Sequence, residues 1–254
     1  MNKIFAIVVC LNLVSGAIKL SAQDPSTPLL LEAARLESIY KDVDALQKYL
    51  QVLSIQPSHL IALCKTSELY NLIGRRIKDK EKQHTYYRAS QAYAEKALKI
   101  NPNNSEANFV MALSLGRIAQ TGSGQARVNA VKLIRQHAER CIQLDPGNFK
   151  GYHVLGKWNL EVSNLSSFEK WLVKLAYGEL PKASLENAII NYEKSRQLNP
   201  AFQLNYLELA KAYHKIDQDT KSLAMLKTVL AMPNLSADDQ RVHFEARELL
   251  GEIQ

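Results

Sequence analysis

Glycine and proline are scarce in this chain, with 10 glycines and 8 prolines among its 254 residues. A fold built from many short strands needs a turn-forming residue roughly every ten positions, so this shortage argues against an all-β protein. The common residues are instead Leu, Ala, Lys, Glu, Gln and Arg, which favour helices. With 46% apolar and 22% charged residues, the chain can bury a sizeable core. We therefore predict an all-α globular protein.

Cysteine is rarer still, with three copies in the chain. Cys10 lies in the apolar N-terminal run, which leaves Cys64 and Cys141, too few for a disulfide scaffold. Both fall on the apolar side of predicted helices in different repeats, so we interpret them as small buried residues. A single disulfide in an oxidising compartment is the alternative.

Motifs that carry chemistry are missing as well. The stretch Thr121-Gly-Ser-Gly124 lacks the Gly-Lys-Ser/Thr ending of a phosphate-binding loop and follows no predicted strand. The sequence has no His-x-x-x-His or Cys-x-x-Cys pair for a metal and no Gly-x-Ser-x-Gly nucleophile elbow. A basic run interleaved with aromatic residues, as nucleic-acid binding would need, is also absent. We predict a protein that is not an enzyme, has no cofactor and binds no nucleic acid.

The N-terminus has the layout of a secretory signal peptide. Lys3 gives a positive start, residues 4–18 are largely apolar, and Ala22 offers a small residue for cleavage. This 15-residue run is shorter than the ~20 apolar residues that span a bilayer. We predict a signal peptide over 1–22 and an extended lead-in over 23–28. The mature protein is then bacterial and exported, in the periplasm or outside the cell, without a transmembrane segment; an uncleaved anchor is the alternative.

A motif that ends helices recurs along the rest of the chain. It consists of two apolar residues, two positions apart, followed by proline. Since proline cannot continue a helix and disfavours helical geometry in the residue before it, each copy predicts a helix end. The copies end at Pro57, Pro102, Pro146, Pro200 and Pro233. They divide residues 29–254 into units of one tetratricopeptide-like domain.

Small and large residues recur at fixed distances from these prolines. Small residues at helical offsets let two helices approach closely, and large residues fill the space between them, so the pattern predicts helix pairs. The best-preserved positions are Tyr152, Leu155, Gly156, Ala188, Tyr192 and Pro200. We predict a right-handed α-α superhelix, a helical-repeat solenoid with irregular repeats, closed by a capping helix over 236–253 with Ser236 as its N-cap.

The unit between Pro146 and Pro200 is 54 residues long, whereas a standard repeat has about 34. Within the extra stretch, apolar residues recur at intervals of three and four positions. This spacing predicts an inserted amphipathic helix over 165–176. The apolar positions are Leu165, Phe168, Trp171, Leu172, Leu175 and Ala176. In the preceding unit the excess is the stretch 120–125, which we interpret as a flexible turn.

The third to fifth units resemble the regulator of microtubule dynamics family, whose members are tetratricopeptide-like. The runs that carry the resemblance include Leu155-Gly-Lys-Trp158, Gly178-Glu-Leu-Pro181 and Tyr192-Glu-Lys194. Lys157 stands for the arginine of the family's Leu-Gly-Arg-Trp motif, Asn159 stands where the family often has cysteine, and Ser167 where it often has tryptophan. The resemblance spans roughly 98–230.

This resemblance implies the fold and a generic binding role. The family's animal members are associated with microtubules, organelle contact sites and lipid binding. Because the leader predicts an exported bacterial protein, which would meet no tubulin, we do not expect those roles here.

The two tryptophans and the inserted helix each have two interpretations. We expect Trp158 and Trp171 to form core between the fourth unit and the inserted helix. As the alternative, the tryptophans form an aromatic wall against a ligand. A membrane-surface role for the inserted helix is disfavoured, because its basic residues are only Lys170 and Lys174.

The inner face of such a solenoid is lined by the first helix of each unit. Counted from the prolines, this face carries basic residues with apolar neighbours, which suit an acidic peptide, a free carboxylate or an anionic headgroup. The predicted partner-binding residues are Arg117, Lys150, His153, Lys157, Lys211, His214 and Lys215. The alternative is that these cations form only a solvated surface.

Two functions follow from these features. In the first, the protein is a non-catalytic adaptor whose basic concave groove binds a protein or peptide, an acidic one being favoured. In the second, it carries a lipid or another amphipathic small molecule in a pocket beside the inserted helix. The sequence does not name the partner.

Overall fold

The computed structural model of the protein describes residues 24–121 and 124–254, and the predicted signal peptide lies outside these ranges. The described residues form twelve α-helices and no strands. The helices are α1 (Thr27–Ser38), α2 (Asp42–Ile55), α3 (Leu60–Arg76), α4 (Lys80–Ile100), α5 (Ser105–Thr121), α6 (Gly124–Leu144), α7 (Phe149–Ser163), α8 (Ser167–Tyr177), α9 (Leu185–Leu198), α10 (Gln203–His214), α11 (Asp219–Leu230) and α12 (Ala237–Ile253).

Ten of these helices pack as five pairs along the chain, namely α1 with α2, α3 with α4, α5 with α6, α7 with α9, and α10 with α11. The second helices α2, α4, α6 and α9 each end two residues before one of the prolines, and α11 ends three residues before Pro233. Helix α12 packs on α10 and α11 and closes the array. The predicted all-α helical-repeat solenoid with an inserted helix is confirmed.

The extra residues of the second and third units lie mainly in longer helices. Helices α4 and α6 have 21 residues each, whereas α2 and α9 have 14. The predicted flexible turn is therefore shorter than expected, because α5 runs to Thr121 and α6 begins at Gly124. Ala119 and Val128 are buried near these helix ends.

The predicted extended lead-in over 23–28 also ends early, since Pro25 and Ser26 form a turn and α1 begins at Thr27. Pro28 lies in the first turn of α1, where a missing N–H costs no intrahelical hydrogen bond. The Asp24 carboxylate accepts hydrogen bonds from Ser26 and from the Gln56 side chain at 2.8 Å, which attaches this turn to α2.

The small and large residues of the repeat meet where α7 crosses α9. Gly156 faces the ring of Tyr192, and a Cβ atom at Gly156 would lie 2.8 Å from two ring carbons. Tyr192 and Ala188 are fully buried. The helices therefore approach this closely because residue 156 has no side chain, as the repeat pattern predicts.

The two cysteines of the described chain are buried and free, which agrees with their interpretation as small core residues. Burial raises the pKa of the Cys64 thiol to about 12 and that of the Cys141 thiol to about 11. Both side chains are therefore protonated and unreactive at neutral pH.

Ser236 caps α12 in the way that the sequence predicts. Its Oγ accepts a hydrogen bond from the Asp239 N–H at 3.0 Å, and the Asp239 carboxylate accepts one from the Ser236 N–H at 2.9 Å.

Replacing Ser236 with alanine is expected to lower the free energy of unfolding by about 1 kcal/mol, measured by urea denaturation. The matched control is Ser166→Ala, which removes the same capping box from α8. We expect a smaller global effect there, because none of the α8 side chains that the structure describes is buried; equal losses would contradict this explanation.

Candidate functional site

A row of alternating charges lies on α7, α10 and α12. The Lys157 ammonium group lies 2.7 Å from the Glu208 carboxylate and 2.9 Å from that of Glu161. Lys211 lies 3.5 Å from the other Glu208 oxygen and 2.7 Å from Glu245. We call these five residues the C-terminal charge row. It joins three helices that are adjacent in space but come from three different units.

Glu208 is the central residue of this row, with only 7% of its side chain exposed. Burial by itself disfavours the charged carboxylate, but the ammonium groups of Lys157 and Lys211 outweigh burial and lower the pKa of Glu208 to about 2. The pKa of Lys157 is correspondingly raised, because Glu208 and Glu161 overcome the effect of its own burial. Glu208 and Lys157 are therefore both charged at neutral pH.

A second row of alternating charges lies on α1, α3, α5 and α7. Lys65 lies 2.9 Å from Glu37 and 3.6 Å from Glu68, and Lys150 lies 2.9 Å from Glu68 and 2.7 Å from Glu106. We call these five residues the N-terminal charge row. Burial opposes the charge on Lys150, yet the two glutamates raise its pKa above the ordinary lysine value. The buried Glu68 has its pKa lowered, because Lys150 and Lys65 outweigh its burial.

A third group of ion pairs connects units that are far apart in sequence. Arg75 and Arg76, at the end of α3, both pair with Asp238 in the first turn of α12, and Arg76 also lies 2.6 Å from Asp42. Nearby, the Arg117 Nε donates a hydrogen bond to Asn71. The second unit is thereby attached directly to the closing helix.

The predicted lysines on α7 and α10 that belong to the charge rows therefore lie among carboxylates rather than in a purely basic patch. Of the four lysines predicted to bind a partner, Lys150, Lys157 and Lys211 each have carboxylate partners. Sequence reasoning missed Glu106 and Glu208 as members of the site. One available signal was the spacing of Glu208 and Lys211, three residues apart on one helix, which places opposite charges on the same face.

The remaining predicted residues lie in different surroundings. The ring of His153 packs against Tyr192 and Phe202, and its Nδ1 lies 2.9 Å from the Asn205 amide oxygen. Burial lowers the pKa of His153 to about 4, so the ring is neutral at physiological pH. His214 lies 2.6 Å from Asp219 at the turn between α10 and α11. Lys215 is exposed at the end of α10.

The two signature tryptophans differ in burial. Trp158 is buried as predicted, and its Nε1–H donates a hydrogen bond of 2.7 Å to the Val131 carbonyl. The prediction that Trp171 is a core residue is wrong, since 55% of it is exposed. Helix α8 packs loosely against α6, and its Trp171, Leu172 and Leu175 side chains are exposed. Pro181 lies in the connection between α8 and α9.

Two cavities lie in the N-terminal units. One of about 500 Å³ is bounded by α1, α2 and α3 and is lined by Leu30, Tyr49, Ile61 and Lys65, among others. Another of about 280 Å³ lies between α2, α3 and α4, beside Leu63. Neither cavity is lined by residues of α8.

Over the described ranges, no helix is long and apolar enough to span a bilayer, and no cluster of three potential metal ligands is found.

Comparisons with known proteins place this architecture in a family. The sequence model described as regulator of microtubule dynamics protein 1-3 matches residues 29–254. Regulator of microtubule dynamics protein 2 of Rattus norvegicus is 26% identical over 175 residues, which cover 68% of this chain and 42% of that protein. Regulator of microtubule dynamics protein 3 of Xenopus laevis is 27% identical over 173 residues, covering 68% of this chain and 37% of that protein. The chain thus spans less than half the length of each relative.

Among solved structures, a thermophilic tetratricopeptide-repeat protein of Thermus thermophilus superposes with a TM-score of 0.64. The superposition covers 90% of this chain and 98% of that protein at 10% identity, so it supports the fold and nothing further. The family match extends over nearly the whole described chain and includes the inserted helix. The chain belongs to the regulator of microtubule dynamics protein 1-3 family.

Proposed function

We propose that the protein is a non-catalytic adaptor that is exported to the periplasm or the cell exterior and binds a protein or peptide along its concave face. The helical-repeat fold supports a protein-binding role of this general kind. The observation that carries the proposal is the position of the lysines in the two charge rows. Lys65, Lys157 and Lys211 each leave about a third of the side chain exposed while their ammonium groups are held by glutamates.

These lysines can donate hydrogen bonds to a further partner. An ammonium group has three N–H donors, and the ion pairs described for Lys65, Lys157 and Lys211 engage two carboxylates each. One donor per lysine is then available to a partner. Because the side chains are already ordered, a bound peptide loses less affinity to side-chain ordering. An extended segment with spaced carboxylates fits this face best.

The test variant must neutralise charged side chains in the proposed groove without leaving a buried carboxylate unpaired. Lys157→Gln combined with Glu208→Gln does so, because Lys211 keeps Glu245 as a partner. We expect this double variant to reduce the crosslinked partner recovered from an envelope fraction at least tenfold, while its circular dichroism stays helical. The control is Glu32→Gln with Arg35→Gln, which neutralises an exposed ion pair on α1. Unchanged recovery with both double variants would contradict the proposal.

A second candidate function is the binding of a lipid or another amphipathic small molecule beside α8. The observation in its favour is the exposed apolar face of this helix, where Leu175 is 71% exposed. Native mass spectrometry of the purified protein is expected to show a bound amphiphile that Leu175→Glu removes. Leu235→Glu, at a similarly exposed leucine away from α8, is the control and should leave it in place. A protein that carries no amphiphile would exclude this function.

A further inference from the structure

Outside the two charge rows, arginines from three helices meet where α3, α5 and α12 come together. Arg75 and Asp238 form an ion pair, Asn71 lies one turn before Arg75 on α3, and Arg241 lies one turn after Asp238 on α12. The Arg117 Nε, from α5, donates to the Asn71 amide oxygen at 3.1 Å. We call this group the arginine junction; its members are Asn71, Arg75, Arg76, Arg117, Asp238 and Arg241.

Positive charge exceeds negative charge at the arginine junction. Of its four guanidinium groups, those of Arg75 and Arg76 pair with the carboxylate of Asp238, and that of Arg76 also pairs with Asp42. Arg241 pairs with Glu245, but Glu245 is shared with Lys211. Burial, together with the charges of Arg75 and Arg241, lowers the pKa of Arg117 to about 10. The guanidinium groups therefore repel one another in a partly desolvated place.

The junction also contains buried donors whose acceptors are missing from the described part of the chain. These are the Asn71 Nδ2, the Arg75 Nε and the Arg241 Nε. Asn71 is only 2% exposed, and its amide orientation is fixed by the hydrogen bond from Arg117. A buried donor without an acceptor is destabilising and rare in folded proteins. Three such donors beside excess positive charge are the features of a site for an oxyanion.

We propose that the arginine junction binds a phosphate group, either as inorganic phosphate or as the terminal phosphate of a soluble phosphomonoester. A phosphate offers several acceptor oxygens in a tetrahedral arrangement, which suits donors that come from different helices. Its charge of about −1.5 to −2 near neutral pH offsets the excess of the guanidinium groups better than the single charge of a carboxylate. Bound phosphate would also connect the second and third units to the closing helix. This proposal is independent of the adaptor function.

The direct test is isothermal titration calorimetry of the protein with inorganic phosphate at constant ionic strength, with chloride as the reference anion. We expect one site per chain. Asn71→Asp places a carboxylate beside Arg75 and Arg117, and is expected to weaken phosphate binding at least tenfold while raising the melting temperature in phosphate-free buffer. Arg241→Gln removes one charge, and is also expected to weaken binding at least tenfold. It should fold, because Glu245 retains Lys211.

Asn159→Asp is the matched control for the amide substitution. Asn159 is buried like Asn71, but its Nδ2 already donates to the Leu155 carbonyl at 2.9 Å. This variant is expected to melt at a lower temperature and to bind phosphate as the parent does. O-phosphoserine distinguishes the two sources of phosphate, since its binding indicates a site open to monoesters and its exclusion indicates inorganic phosphate. If the parent binds neither ligand, or if Asn71→Asp and Arg241→Gln bind phosphate as well as the parent, the proposal is overturned.

Discussion

Replacing Glu208 with glutamine is expected to lower the free energy of unfolding by about 3 kcal/mol at neutral pH. The carboxylate is 7% exposed and lies between Lys157 and Lys211, so the substitution leaves two ammonium groups without their shared counterion. Removing one partner of a buried ion pair typically costs about 3–5 kcal/mol. The difference between the ordinary glutamate pKa of 4.5 and the value of about 2 in the folded protein leads to a similar figure.

The same substitution makes the stability of the protein depend differently on pH. Because the pKa of Glu208 is lower in the folded state, its stabilisation is fully present above about pH 4.5 and is lost as the pH falls through about 2. The difference in stability between the parent and Glu208→Gln should therefore shrink over this window. Urea denaturation at a series of pH values measures it.

Glu161→Gln is the matched control, since Glu161 pairs with the same lysine but is 60% exposed. An exposed ion pair contributes less than about 1 kcal/mol, so this variant should unfold almost as the parent does. Equal losses in the two variants, or a difference that does not change with pH, would contradict the buried-carboxylate explanation.

Replacing Gly156 with alanine is expected to lower the free energy of unfolding by about 2 kcal/mol, against the usual helix preference. Alanine in a helix gains about 1 kcal/mol over glycine. The new Cβ would, however, lie 2.8 Å from the Tyr192 ring, which is fully buried and in contact with His153. The ring has no space to move, and forcing a methyl group into a packed core costs about 1–3 kcal/mol or more. The steric effect therefore exceeds the helix preference.

Gly116→Ala is the control, because it makes the same exchange within α5, where a Cβ would meet no atom within 4 Å. Here the helix preference acts alone, and we expect a gain of about 0.5–1 kcal/mol. Thermal unfolding of the two variants should shift the melting temperature in opposite directions. A stabilised Gly156→Ala variant would mean that α7 and α9 can move apart without lowering the free energy of unfolding.

Features that are set by residues close together in the sequence could be predicted from the sequence. Proline ends a helix wherever it occurs, so the ends of α2, α4, α6 and α9 could be placed within two residues. The pairing of Gly156 with Tyr192 follows from helical periodicity in two adjacent helices of one unit. The inserted helix was also predicted, since its apolar spacing is local.

Contacts between distant segments were not predictable in this way. Periodicity shows that α8 has an apolar face but not what covers it, and so Trp171 was wrongly placed in the core. Likewise, the position of Lys150 in its repeat predicts that it faces inward, but its partner Glu68 lies 82 residues away.

The sequence by itself therefore determined the helical-repeat fold, the helix ends near its prolines, the inserted helix and the cations on the first helices of the units. Only the tertiary structure decided which carboxylates neutralise those cations and where donors lack acceptors. Helix ends and helix faces are set by interactions within a few residues, whereas the Arg75–Asp238 pair joins residues 163 positions apart, whose meeting depends on how every intervening helix packs.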